Sequence, residues 1–166
     1  MTAITQTATS MFTGERPWLS LAARTDGSVT QTLLRLTLAL VLLPHGMQHL
    51  FGWFGGYGFS ATVGFMNSGL GIPVPLAAAG ILLEFFGPLA LIAGVASRLM
   101  GASLAVFMAV AAATHLSDGF FMNWFGTMPA GTEGFEYHLL AIAMAVAIAI
   151  KGGGAFSVDG ALISRG

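Results

Sequence analysis

The sequence predicts an all-α, polytopic membrane protein: a bundle of four transmembrane helices with both termini in the cytoplasm. Three observations predict it. Of the 166 residues, 55% are hydrophobic and only 8% are charged, whereas a soluble domain carries about a quarter charged residues. The hydrophobic residues gather in four segments, and the few Lys and Arg residues lie in only some of the connections between them.

The four apolar segments supply the predicted spans. They are residues 32–51, 74–96, 99–116 and 137–150. A membrane-spanning helix needs about 20 apolar residues, and the first three segments approach that length. The fourth is shorter, and its length also suits a re-entrant or buried helix. We predict a span because the long side chain of Lys151 can carry its charge to the interface.

The placement of Lys and Arg predicts the orientation. Connections 52–73 and 117–135 contain neither residue. With four spans, all six basic residues fall on the same side, which the positive-inside rule assigns to the cytoplasm. These residues are Arg16, Arg24, Arg35, Arg98, Lys151 and Arg165.

The sequence divides into a transmembrane domain and two predicted tails. Residues 1–30 are polar and lack the apolar core of a signal peptide, so they predict a cytoplasmic N-terminal tail. Residues 31–151 form the predicted four-helix transmembrane domain. Residues 152–166 form a predicted cytoplasmic C-terminal tail.

Composition also excludes several kinds of chemistry. The chain has no cysteine, which excludes disulfide exchange, thiolate catalysis and iron–sulfur ligation by its own residues. Its net charge is −1 and no basic block occurs, which argues against nucleic acid as a partner. A redox role would therefore need a bound cofactor or a partner subunit.

Ionisable residues inside the apolar segments are the first candidates for a functional site, because they are costly in lipid. Arg35 lies about one turn into the first segment and Glu84 near the middle of the second. Their estimated depths differ by about 8 Å, within the combined reach of the two side chains. We therefore expect Arg35 and Glu84 to face the bundle interior and to interact, directly or through water.

All four histidines fall in the outer half of the predicted bundle. His45 and His49 are four residues apart and share one helix face. We expect them to line a polar pocket with His115 and Glu136. His138 lies about 200° from Glu136 on an ideal helix, so it is held in reserve. Two alternatives for the histidine pair stay open: hydrogen bonding to water and backbone carbonyls at the interface, or binding of a metal or haem.

Several stretches together resemble the DoxX family of small bacterial four-helix membrane proteins, and the resemblance covers residues 31–162. The stretches are "LLRL" with Arg35, "PHGMQHLFG" (44–52), Glu84, Arg98, "HLSDGFF" (115–121), Glu136 and "GGGAFSVDGAL" (152–162). One departure is His49, where the family more often has Lys. A titratable imidazole then replaces a fixed charge.

The resemblance implies a multi-pass protein of the bacterial inner membrane linked to quinone-dependent electron transfer. Family members include a subunit of thiosulfate:quinone oxidoreductase. By this hypothesis Arg35, His45, His49 and His115 bind the quinone, while Glu84, His115 and Glu136 are the catalytic residues. Other membrane protein subunits and the lipid bilayer would be the partners.

Two other functions stay open. One is a non-catalytic accessory subunit that packs on a larger respiratory or photosynthetic complex. The other is a small transporter, suggested by Pro88 within the second apolar segment.

The predicted orientation can be tested by labelling single-cysteine variants of this cysteine-free chain. A membrane-impermeant maleimide added to intact cells is expected to modify cysteines introduced at Gly56 and Thr127, but not at Arg98. Modification at position 98 without permeabilisation would contradict the orientation.

Overall fold

The computed structural model describes residues 25–127, 129 and 132–163. These residues form six α-helices, and no strand occurs among them, in agreement with the all-α prediction. The helices are α1 (Val29–Phe51), α2 (Gly58–Ser68), α3 (Val74–Ala93), α4 (Ser97–Thr114), α5 (Glu136–Lys151) and α6 (Val158–Ile163).

The four long helices α1, α3, α4 and α5 form two antiparallel pairs. α1 packs mainly along α3, and α4 packs mainly along α5. The faces that the pairs turn towards each other carry the apolar core. Its buried members are Leu38, Ala39, Leu42, Leu91, Leu104, Met108, Ala141, Ala145 and Ile148.

A glycine lets the helices approach closely within each pair. A Cβ atom built on Gly46 of α1 would lie 2.5 Å from the carbonyl oxygen of Glu84 and 2.7 Å from the Cα of Phe85. A Cβ atom on Gly101 of α4 would lie 2.8 Å from the carbonyl oxygen of Ala145 in α5. Small residues allow this backbone contact in membrane helices.

The outward faces of the long helices are apolar. Leu40 of α1 is 72% exposed and Leu140 of α5 is 67% exposed, and similar side chains occur on α3 and α4. Within the described residues, α3 and α4 are long and apolar enough to cross a membrane. α1 has 23 residues and α5 has 16.

One end of the bundle, which we call the arginine end, contains Arg35, the α3–α4 turn and residues 152–163. Residues 152–163 lie in the predicted C-terminal tail, yet they fold against the helices. The carboxylate of Asp159 accepts hydrogen bonds from the backbone N–H groups of Ala96 (2.8 Å) and Ser97 (2.7 Å). The N–H of Asp159 donates to the carbonyl of Gly94. α6 is therefore attached to the turn that begins α4.

Arg35 connects three parts of the arginine end and is only 1% exposed. Its Nη1 donates to the carbonyls of Leu91 and Ile92 at the end of α3, the second bond at 3.0 Å. Its Nη2 donates to the carbonyl of Phe156, 3.2 Å away. Asp159 is the carboxylate whose charge acts on the guanidinium. We call this arrangement the Arg35 clamp.

Helix α2 lies in the connection that was predicted only as an apolar, aromatic-rich loop. It packs against α1 and α3, and Thr62 is its buried residue. The aromatic stretch before it contains a short 3-10 turn at Trp53–Gly55. Helix α2 therefore covers the end of the α1–α3 pair opposite the arginine end.

We expect Gly46→Ala to lower the free energy of unfolding by about 1–3 kcal/mol, since the new methyl group would meet backbone atoms that cannot rotate away. The measurement is thermal or denaturant unfolding of the purified protein in detergent. Gly64→Ala in α2 is the matched control, because a Cβ there would have nothing within 4 Å. Equal stability of Gly46→Ala and Gly64→Ala would show that the close α1–α3 contact is absent.

A double-mutant cycle tests the Arg35 clamp. Arg35→Gln and Asp159→Asn are each expected to destabilise the fold, and their effects should be coupled by about 0.5–3 kcal/mol because both act on the same structure. Arg35→Gln and Glu84→Gln should be additive within about 0.5 kcal/mol. Strong coupling between Arg35→Gln and Glu84→Gln, with no coupling between Arg35→Gln and Asp159→Asn, would exclude the Arg35 clamp.

Candidate functional site at the histidine end

The opposite end of the bundle, which we call the histidine end, receives polar side chains from all four long helices. α1 ends there, α4 ends there and α5 begins there, while α3 contributes a residue near its middle. The side chains are His45, His49, Glu84, His115, Tyr137 and His138.

The histidine end contains a buried carboxylate paired with an imidazole. Glu84 is 5% exposed, and its Oε2 lies 2.5 Å from Nδ1 of His49. Gly46, one turn before His49, presses α1 against the backbone of Glu84 and brings the two side chains within reach. A carboxylate buried in a bundle needs a hydrogen-bond partner, and this one is a group that itself exchanges protons near neutral pH.

The predicted direct pair between Arg35 and Glu84 is wrong. Each side chain has other partners, namely carbonyl groups for Arg35 and His49 for Glu84. The cause is the register of α1 against α3. Glu84 lies level with Gly46, which is eleven residues from Arg35, or about 16 Å along the helix.

Four aromatic rings at the histidine end contact one another in series. The ring of His45 lies 6.2 Å from that of Tyr137, and Tyr137 lies 5.7 Å from His138. His138 in turn lies 5.0 Å from His115, measured between ring centroids. Nδ1 of His115 is 3.3 Å from a carboxylate oxygen of Asp118. The series runs from exposed His45 to Asp118 in the 3-10 turn after α4.

The structure brings some of the residues predicted to line a polar pocket into the ring series and leaves others out of it. His45 and His115 belong to the same series, but the rings of Tyr137 and His138 separate them. The preference for Glu136 over His138 is reversed. His138 is 8% exposed and lies against His115, whereas Glu136 accepts a hydrogen bond from the indole N–H of Trp124 at the rim.

Two buried polar atoms in this series have no hydrogen-bond partner among the described residues. They are the hydroxyl oxygen of Tyr137 and Nδ1 of His138. Tyr137 is also close enough to Glu84 for the charge of the carboxylate to act on it. Buried polar atoms are nearly always hydrogen-bonded, so these two mark a place where another polar group is expected.

No group of three or more His, Asp or Glu side chains is arranged to hold a metal ion within the part of the chain that the structure describes.

Tyr137 belongs to the ring series at the histidine end, but the sequence analysis did not include it among the candidate site residues. The buried residues Ala141, Ala145 and Ile148 follow it at intervals of four, eight and eleven residues. This spacing keeps them on one helix face. That face, extended back one turn, predicts an inward position for Tyr137.

Comparison with known proteins gives one match. The DoxX family model matches residues 30–117, which is just over half of the chain and covers α1 to α4. Neither the curated proteins nor the solved structures gave a match. The match spans Arg35, His49, Glu84 and His115, and with the apolar helices it identifies a membrane protein. The chain belongs to the DoxX family.

Proposed function

We propose that the chain spans the bacterial inner membrane four times, with the arginine end in the cytoplasm. Three basic residues support this orientation. Arg35 lies near the start of α1, Arg98 in the first turn of α4 and Lys151 at the end of α5, so all three occupy the arginine end. The guanidinium of Arg98 donates to the carbonyl of Ile150, which ties these two helix ends together.

We further propose that the protein is a subunit of a quinone-linked membrane oxidoreductase, with its site at the histidine end. The observation that carries this proposal is the buried pair of Glu84 and His49 beside the Tyr137–His138 series. A bound quinone would supply two-electron, two-proton redox chemistry. Its carbonyl oxygens need hydrogen-bond donors, and imidazole and phenol groups are suitable donors.

The residues of the histidine end have distinct parts in this proposal. Glu84 and His49 share a hydrogen bond through which a proton can pass between carboxylate and imidazole. Asp118 orients His115 at the edge of the site. Glu136 lies at the rim with Trp124 and has access to protons from outside. Arg35 has a structural role, because its Nη1 and Nη2 groups are hydrogen-bonded at the other end of the bundle.

In this proposal the electrons come from a partner subunit, since a chain without cysteine cannot hold an iron–sulfur cluster with its own residues. The same observation favours the second candidate function, an accessory subunit without its own chemistry. The quinone-linked subunit and the accessory subunit differ in one respect: only the quinone-linked subunit requires quinone to bind at the histidine end.

Quinone binding is the first test. Ubiquinone-1 is titrated into the purified wild-type protein in detergent, and quenching of the three tryptophans is followed. Saturable binding is expected. Quenching that rises linearly to the solubility limit, as in a detergent solution of free tryptophan, would overturn the quinone proposal and favour the accessory subunit.

Glu84→Gln is expected to lower the quinone-reducing rate of the complex that co-purifies with the tagged chain by about 100-fold, because the carboxyl proton is lost while the shape is kept. The amount of co-purified partner should not change. Asp26→Asn, an exposed carboxylate at the arginine end, is the control and should leave the rate unchanged. A rate that is normal in Glu84→Gln would remove Glu84 from the chemistry.

A further inference from the structure

The unsatisfied groups of Tyr137 and His138 are the starting point. Leaving a buried polar group without a hydrogen-bond partner destabilises the fold. Here two such groups lie on consecutive residues in the first turn of α5, and their rings are 5.7 Å apart. His138 is buried to more than nine-tenths, so bulk solvent does not satisfy its Nδ1.

The neighbouring polar groups are already engaged. Nδ1 of His49 is bonded to Glu84, and Nδ1 of His115 faces Asp118. The Tyr137 hydroxyl and the His138 imidazole can both donate a hydrogen bond. The Lys and Arg residues of the described part of the chain lie at the other end of the bundle, so no fixed positive charge is present to hold an anion. The ligand that suits this site is neutral and presents an acceptor oxygen.

These groups lie beside the place where α1 faces α5. His45 of α1 is exposed, and its ring faces Tyr137 of α5 at 6.2 Å. Pro44, beside it, is also exposed. In a four-span bundle this side of α1 borders the lipid, so a flat apolar ring dissolved in the bilayer would meet His45 first and Tyr137 next.

We propose that the Tyr137 hydroxyl and Nδ1 of His138 bind a carbonyl oxygen of the quinone, whose ring enters laterally between α1 and α5 beside His45. This inference rests on the proposed function and names the two atoms that hold the ligand. It assigns binding to two residues outside the stretch that the family model matches. Glu84 and His49 then lie behind the bound oxygen as the proton-carrying pair.

Two measurements on purified protein test the proposal. The first is the dissociation constant of ubiquinone-1 from tryptophan quenching. Tyr137→Phe and His138→Leu are each expected to weaken binding roughly tenfold, since one hydrogen bond is lost. The second is the infrared carbonyl band of bound carbon-13-labelled ubiquinone-1. In Tyr137→Phe this band should move towards its position in free quinone.

The other tyrosine of the chain provides the matched control. Tyr57 is 85% exposed, and Tyr57→Phe should bind ubiquinone-1 as the wild type does. Unfolding temperatures are compared to show that Tyr137→Phe, which removes one oxygen atom, keeps the fold. If that variant does not fold, His138→Leu decides the question by the same two measurements.

The outcomes separate this inference from the proposed function. One outcome would overturn the inference alone: the wild type binds ubiquinone-1 saturably, but neither the dissociation constant nor the carbonyl band changes in the two variants. That result would mean that only water fills the site. Absence of saturable binding by the wild type would overturn the proposed function and this inference with it. Weaker binding and a shifted band in the Tyr137 and His138 variants, but not in Tyr57→Phe, support both.

Discussion

The buried charge of Arg35 is the constraint on which the rest of the structure depends. A guanidinium inside an apolar bundle must have its donors satisfied and its charge compensated. Both Nη groups of Arg35 donate to carbonyl groups, at the end of α3 and in the C-terminal segment, and Asp159 supplies a nearby negative charge. The Nε of Arg35 has no hydrogen-bond partner among the described residues. The carboxylate of Asp159 in turn holds the first backbone N–H groups of α4. At the arginine end, the permanent positive charge of Arg35 thereby holds the helix ends and the C-terminal segment together.

This arrangement leaves the second buried charge of the bundle with a different kind of partner. Glu84 is too far along the helices to reach Arg35, and it pairs with His49. Arginine stays protonated at any physiological pH, whereas histidine gains and loses its proton near neutrality. The two ends of the bundle therefore have different capacities: the arginine end can hold structure together, and the histidine end can exchange protons.

Much of the helical framework was predictable because it follows from apolar segment length. The first predicted span, residues 32–51, corresponds to α1, and residues 137–150 correspond to α5. Helices α2 and α6 escaped prediction since 11 and 6 residues are too few for a clear apolar pattern. The Arg35–Glu84 pair was wrong because depths counted from segment ends ignore register, which depends on the close contact at Gly46. The inward direction of His138 likewise depends on how α5 is rotated against α4, whereas that of Tyr137 follows from the spacing of Ala141, Ala145 and Ile148.

The Arg35 clamp has a consequence for biogenesis. Its partners Phe156 and Asp159 follow Arg35 by more than 120 residues, so the ribosome makes them after all four long helices. In the proposed orientation, the guanidinium has neither partner while the helices enter the bilayer, so it would remain near the aqueous cytoplasm. That requirement would hold the start of α1 at the cytoplasmic surface during insertion. Synthesis of residues 152–163 would then supply the missing partners, so docking of this segment would follow insertion of the four long helices.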